Sequence, residues 1–320
     1  MSRKVLVTGA SGYLGSQCCE YLHRQGGCEV FPMARRIPDF LKPWWSKYQV
    51  IEADLTSAPS LEAAFERQAF DAVVHFASVD ENICRDDLGR AIEVNGHGAQ
   101  RTLDAAFRHG VSTFILMSTF HVYGAPRTRS ITEKTAALPV HNYGITHWLG
   151  EMLCRQRAQR DRDRRLVILR MSNGFGPPLH PDINRWTLLV NDLCRQAVVH
   201  RELHLKTAGN QKRDFICMED MFAAAALFLG DARVKPDDNI FNVGSGVTLS
   251  VLDMAERIRE VCRTRLNWEV PVIVPKTRPE KQLTSFTFCF DKIGKLGYIP
   301  ANRFEDHILE TLYTAGAERR

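Results

Sequence analysis

Short apolar runs and amphipathic stretches alternate through the first half of the chain. Val5-Leu-Val-Thr8, Cys28 to Ala34, Tyr48 to Glu52, Asp71-Ala-Val-Val-His75, Thr113-Phe-Ile-Leu-Met117 and Leu166-Val-Ile-Leu-Arg170 read as strands. Tyr13 to Arg24, Ser60 to Arg67, Leu88 to Arg108 and Tyr143 to Gln159 read as helices between them. Strands without internal polar alternation, each followed by a helix, predict βαβ units and a doubly wound parallel sheet covered on both faces. After Arg170 the rhythm breaks at the turn cluster Asn173-Gly-Phe-Gly-Pro-Pro178. Asn239-Ile-Phe-Asn-Val243 reads as one more strand of the main sheet, and a last helix spans about Phe304 to Tyr313. The fold class is therefore α/β, with a smaller mixed α/β lobe towards the C-terminus.

The first strand is followed at once by Gly9-Ala-Ser-Gly12-Tyr-Leu-Gly15, which opens the first helix. Glycines in such a turn let the backbone approach a pyrophosphate, whose charge meets the helix N-terminus. The position between strand and helix points to a Rossmann-type dinucleotide cradle made by Gly9, Ser11, Gly12, Tyr13, Leu14 and Gly15. We expect residues 1–172 with 214–245 to form the dinucleotide-binding domain, and 173–213 with 246–320 the second lobe.

Composition narrows the setting. The 320 residues are 44% hydrophobic and 25% charged, ordinary for a globular protein. No apolar run approaches the roughly 20 residues of a membrane span, and the strand pattern starts too early for a signal peptide. The net charge of +5 is mild. The densest basic run, Arg155 to Arg165, is broken by Asp161 and Asp163, as on a solvated helix end rather than a nucleic-acid patch. Nine cysteines without a Cys-x-x-Cys pair read as reduced core residues, so a cytoplasmic setting is expected, with no metal site, membrane or nucleic-acid partner.

The chain resembles the extended branch of the short-chain dehydrogenase/reductases, the nucleotide-sugar epimerases, dehydratases and reductases. The resemblance rests on Thr8 to Gly15, Ala53-Asp-Leu55, Val74-His-Phe-Ala77, Asn95, Ser118-Thr119, Val122-Tyr-Gly124 and Tyr143. It continues through Arg170-x-x-Asn-x-x-Gly-Pro177, Arg213-Asp-Phe-Ile216, Asn242-Val-Gly244 and Leu296-Gly-Tyr-Ile-Pro300. It implies that Asp54 and Leu55 flank an adenine, that Phe76, Ala77 and Ser78 line the nicotinamide side, and that Asn95 belongs to the cofactor site. It implies catalysis by Thr119, Tyr143 and the residue four after the tyrosine, with the last two also touching cofactor. It implies substrate contacts from Ser118, Thr119, His121, Asn173 and Arg213, and from Arg278 by a looser match. A nucleotide-diphosphate sugar is the implied substrate, and a homodimer through the helices near 91–108 and 143–159 the implied assembly.

Two departures sharpen the reading. Where NAD-preferring relatives end the second strand with an acid, this chain has Met33-Ala-Arg-Arg36; Arg35 and Arg36 favour a 2′-phosphate, hence NADP over NAD. The lysine of Tyr-x-x-x-Lys is replaced by His147. Histidine titrates near 6.5 rather than 10.4, so it stabilises a Tyr143 phenolate less. That handicaps oxidation, where the phenol must be a base, more than ketone reduction, where a neutral phenol already carries its proton. Thr119 is followed by Phe120-His121, not the Asp-Glu of the dehydratases, which argues against water elimination. The expected activity is NADPH-dependent reduction of a keto-sugar. An NAD-dependent C4 epimerase, a reductase of a non-sugar ketone, or a dinucleotide sensor without turnover stand as alternatives.

Overall fold

The computed structural model describes residues 2–125, 128–230, 234–275 and 286–318. The chain begins β1 (Arg3–Thr8), α1 (Tyr13–Gln25), β2 (Cys28–Ala34), α2 (Lys42–Trp45), β3 (Ile51–Glu52), α3 (Ala58–Glu66) and β4 (Ala72–His75). It continues α4 (Glu81–Asp86), α5 (Leu88–Ala91), a π-helical stretch over Ile92–Gly98, α6 (Ala99–Arg108), β5 (Thr113–Thr119), β6 (Ser130–Ile131), α7 (Asn142–Ala158) and β7 (Arg165–Met171). Then come β8 (Asn173–Phe175), α8 (Leu189–Val199), β9 (Leu203–His204), β10 (Lys212–Cys217), α9 (Met218–Leu227), β11 (Ile240–Val243) and β12 (Thr248–Ser250). The last elements are α10 (Val251–Val261), β13 (Val272–Ile273), β14 (Thr287–Phe288), α11 (Asp291–Gly294) and α12 (Phe304–Thr314).

Seven strands form one parallel sheet in the order β11-β7-β5-β4-β1-β2-β3. The strands are buried on both faces because successive side chains enter different cores. Val5, Val7, Ile115, Met117, Val167 and Leu169 pack on one side. Leu6, Phe114, Leu116, Leu166 and Ile168 pack on the other. The strand order reverses between β1 and β4, and the crevice at such a switch point is where open α/β sheets receive ligands.

The third strand is shorter than its apolar pattern suggests. Only Ile51 and Glu52 pair with β2, opposite Met33 and Ala34. The Ala34 carbonyl accepts the Ala53 amide at 3.0 Å, so Pro32, two residues earlier on the same edge, has no N–H to extend the ladder. The intervening residues instead form a short helical arm, with Leu41 and Trp45 buried.

The smaller lobe has its own core of Phe175, Leu193, Phe215, Met254, Ile258, Phe304, Ile308 and Leu312. Its three-stranded sheet runs β12-β10-β8. The boundary expected at 213/214 falls inside β10, whose Ile216 reaches the main core while Phe215 and Cys217 face the smaller one. Among the described residues no helix is long and apolar enough to cross a membrane, and all nine cysteines are free thiols.

Candidate active site

Gly9 follows β1 at φ +67°, and a Cβ there would lie 2.7 Å from the Ala77 amide nitrogen after β4. A Cβ on Gly15 would meet the Gly9 carbonyl oxygen at 2.3 Å. Only glycine permits this close stacking of turn, helix and neighbouring strand. The Gly12 amide donates to the Gly9 carbonyl at 2.9 Å, and α1 begins with no side-chain cap and no acid in its first turn. Its leading N–H groups and positive end are left for an external anion.

A cleft of about 510 Å³ adjoins this mouth, within the range of small-molecule and cofactor sites. Gly9, Ser11, Gly12, Tyr13, Leu14 and Gly15 line it, with Arg35 beyond β2, Asp54 and Leu55 beyond β3, Phe76, Ala77 and Ser78 beyond β4, and Tyr143 from α7. Asp54 does not cap α3, a task performed by Ser57. It accepts instead the Thr56 amide at 2.9 Å and hydroxyl at 2.7 Å, and those two bonds hold its carboxyl below the usual range.

Three residues expected at the cofactor, Arg36, Asn95 and His147, do not line this cleft. Arg36 is exposed. Asn95 is buried in the π-helical stretch, where its carbonyl accepts the Val79 amide at 2.8 Å and its amide donates to Thr146 Oγ1 at 3.1 Å. It thereby ties the loop after β4 to α7, the helix that carries Tyr143 and His147.

An inner chamber of about 180 Å³ lies on the other side of Tyr143. Ser118, Thr119, His121, Tyr143, His147, Asn173 and Arg213 all line it, so the expected catalytic set and most of the expected substrate set converge. Arg278 lies outside the described residues. The Ser118 hydroxyl is engaged with Glu151, which itself forms a buried ion pair with Arg170. Asn173 donates to the Asp214 carbonyl at 2.9 Å. Arg213 and Asp214 do not pair: the Asp214 carboxylate accepts the Ser245 and Gly246 amides at 3.2 and 3.1 Å, and burial raises it to about 6. Arg213 thus faces the chamber with no acid on it among the described residues.

The charge state of the set follows from burial. Tyr143 and His147 stack edge to face with ring centroids 4.4 Å apart, one helical turn apart on α7. Burial pushes the Tyr143 phenol well above its ordinary value and takes His147 down to about 4. His147 Nε2 is buried and meets no hydrogen-bond partner among the described residues. At neutral pH the pair is a protonated phenol beside an uncharged imidazole. Burial also lowers His121 to about 4, with the neighbouring His141 adding to the effect; the two rings are bonded at 3.1 Å.

The same burial has a consequence for stability. His75 is held down to about 3, again by burial, and like His147 and His121 binds no proton in the folded chain at pH 6. Unfolded histidines titrate near 6.5. Below that value the unfolded state takes up protons that the folded state refuses, so stability falls as pH drops from about 6.5 towards 4. Urea midpoints should decline across this window, and His147→Gln should flatten the decline; equal slopes would contradict it.

Sequence reasoning missed one wall. The segment after β8 brings Asp182, Ile183, Asn184 and Arg185 over the dinucleotide cleft, and Arg185 also lines the inner chamber. His180 stacks on Phe40 with centroids 4.9 Å apart and meets Trp44 edge-on, which fixes the segment to the helical arm before β3. A lone arginine between a proline-rich turn and an apolar helix start was the available signal.

Residues 5–244 match the model of the NAD dependent epimerase/dehydratase family. The chain belongs to this family. It is accordingly an enzyme of that family. Among curated relatives, an uncharacterized UDP-glucose epimerase of Bacillus subtilis is 28% identical over 273 residues, 81% of this chain and 82% of the relative. UDP-glucose 4-epimerase 2 of Arabidopsis thaliana is 26% identical over 312 residues, 87% and 85% of the two chains. The fold matches the crystal structure of UDP-glucose 4-epimerase from Thermotoga maritima with a TM-score of 0.80 at 22% identity, covering 97% of this chain and 98% of that one.

Proposed function

We propose that this family member is an NADPH-dependent reductase of a keto group on a nucleotide-diphosphate sugar, with Tyr143 as the proton donor. The observation that carries the reading is the neutral pair at 143 and 147: a buried phenol that keeps its proton, next to an imidazole that stays uncharged. Such a phenol has its proton in place for an oxygen gaining negative charge, and is not ionised to act as a base.

The residues fit a pyridine dinucleotide. The uncapped start of α1 and the glycine contacts at Gly9 and Gly15 leave room for a pyrophosphate where a side chain would fill the space. Of the residues lining the cleft, Asp54 and Leu55 would flank the adenine, Arg35 would meet the 2′-phosphate, and Phe76 to Ser78 would line the nicotinamide side. The chemistry such a cofactor would supply, when bound, is a hydride for the carbonyl carbon. On the chain's side, Thr119 and Tyr143 hold the carbonyl oxygen, and Tyr143 Oη gives it a proton as the carbon is reduced. Asn173 and Arg213 hold the substrate's phosphates. The 182–185 segment lines the dinucleotide cleft, and its Arg185 also lines the inner chamber.

A second reading, C4 epimerisation, is favoured by the names of the two curated relatives. It requires the phenol to act as a base in the first half-reaction, where burial opposes it. Two incubations separate them, NADPH with a nucleotide-linked 4-keto-sugar and NAD with the matching 4-hydroxy sugar. Net oxidation of one NADPH per ketone without interconversion of the 4-hydroxy sugars supports the reductase; interconversion of the C4-epimeric 4-hydroxy sugars with no net change in cofactor supports the epimerase.

The expected homodimer remains a proposal. Ile145, Trp148 and Met152 form an exposed apolar stripe at helical spacing on α7, one of the two elements expected at the interface. Light scattering should give a dimer for the native chain and a monomer for Trp148→Glu; a native monomer at micromolar concentration would contradict it.

A further inference from the structure

The missing lysine leaves the phenol without a cation from its own helix. Among the described residues, the titratable groups that act on or touch Tyr143 are Asp80, Glu81 and the Cys84 thiol at α4, His121 and His141 on the loop side, His147 on α7, and Arg185 from the second lobe. Of these, Arg185 alone carries a permanent positive charge. Its guanidinium is four-fifths buried, at 19% side-chain exposure. It lines both the dinucleotide cleft and the inner chamber, as Tyr143 does.

Its placement is fixed from several directions. Arg185 Nη1 donates to Glu81 Oε2 at 2.9 Å and lies 3.6 Å from Asp80 Oδ2. Asp80 is otherwise occupied capping α4, accepting the Asn82 and Ile83 amides at 3.1 and 3.0 Å. The Arg185 amide donates to the Ile183 carbonyl at 2.8 Å. Its carbonyl accepts from Asn191, a fully buried side chain that also donates to Tyr13 Oη at 3.1 Å. Arg185 is thus tied through its backbone and Asn191 to the glycine-loop tyrosine, and through its guanidinium to Asp80 and Glu81 at α4.

We propose that Arg185 is the active-site cation of this chain, held by Glu81 beside the Tyr143 phenol and replacing from the second lobe the charge that His147 does not supply. The inference deepens the reading above, because it takes Tyr143 as the acid of the site. Arg185 acts through Tyr143 as a positioning residue: its charge makes the phenol a better acid than burial alone would allow. Glu81 has a double effect, since it anchors Arg185 and at the same time opposes it electrostatically at the phenol.

That double effect gives a test that a merely structural latch cannot imitate. 3-Nitrotyrosine placed at position 143 brings the phenol's ionisation into the range where the chain stays folded, and its absorbance reports that ionisation in the cofactor-free protein. Arg185→Gln should raise its pKa by about one unit, the scale of an adjacent opposite charge. Arg185→Lys should leave it nearly in place, and His147→Lys added to Arg185→Gln should bring it back down. Glu81→Gln should move it down, opposite to Arg185→Gln. If Arg185 only fastens the wall, both neutralising changes loosen the same contact and shift the phenol in one direction or not at all, and the proposal is overturned. Should Arg185→Gln not fold, Glu81→Gln and Arg185→Lys still decide the sign. In the unlabelled enzyme, Arg185→Gln should cost about tenfold in turnover, recovered by His147→Lys. The optical titration needs neither cofactor nor substrate. Opposite shifts without any cofactor oxidation by the native chain would therefore sink the reductase reading and leave the cation assignment standing.

Discussion

Tyr143→Phe is expected to lower keto-sugar turnover by about 10²–10⁴-fold, the usual contribution of a positioned general acid, while dinucleotide binding is retained. The phenylalanine keeps the ring that lines both chambers and its edge-to-face contact with His147, and removes only the hydroxyl. The proton it removes is the one that burial holds on the phenol throughout the neutral range. Single-turnover measurements give the chemical step, and thermal protection by NADPH gives binding separately. A loss under about tenfold would mean that the proton comes from elsewhere, with the His121–His141 pair at 3.1 Å the next donor to examine.

Glu151→Ala should destabilise the fold by about 3–5 kcal/mol, the cost of leaving a buried charge without its partner. Arg170 and Glu151 have side-chain exposures of 5% and 1%, and the pair links β7 to α7. Arg170 also lies 4.8 Å over the Tyr123 ring, and Ser118 gives its hydroxyl to the same carboxylate. Removing the glutamate strands the guanidinium and frees Ser118. Replacing both ends at once, Glu151→Leu with Arg170→Met, should cost far less, because no lone charge remains. Urea unfolding with an unchanged m-value measures both. A single-variant cost within the roughly 0.5 kcal/mol of a surface change would contradict the account.

Much of this architecture was legible in the sequence because it is written locally. Runs such as Thr113-Phe-Ile-Leu-Met117 carry their own burial, and Gly9, Gly12 and Gly15 mark a turn that other residues would block. The spacing from Tyr143 to His147 guarantees a shared helical face. What escaped is settled between residues distant in the chain. Arg185 meets Glu81 across 104 positions, and nothing near either residue announces it. Asn95 looked like a ligand of the cofactor, yet its amide is consumed by Val79 and Thr146, contacts that exist only once the π-helical stretch packs on α7. Ser118 likewise finds Glu151 through the register of β5 against α7. The short third strand follows from Pro32 on the neighbouring strand, a residue that a reading of Tyr48 to Glu52 alone does not consult.

The central claim is that a hydride passes for good into a sugar whose oxygen is protonated by a neutral phenol. NADPH carrying deuterium at the transferred position, incubated with a nucleotide-linked 4-keto-sugar, tests it most directly by mass spectrometry of the product. The account predicts one deuterium retained in the sugar for each cofactor oxidised. Sugar isomers that form without deuterium, while the reduced cofactor stays intact, would contradict it.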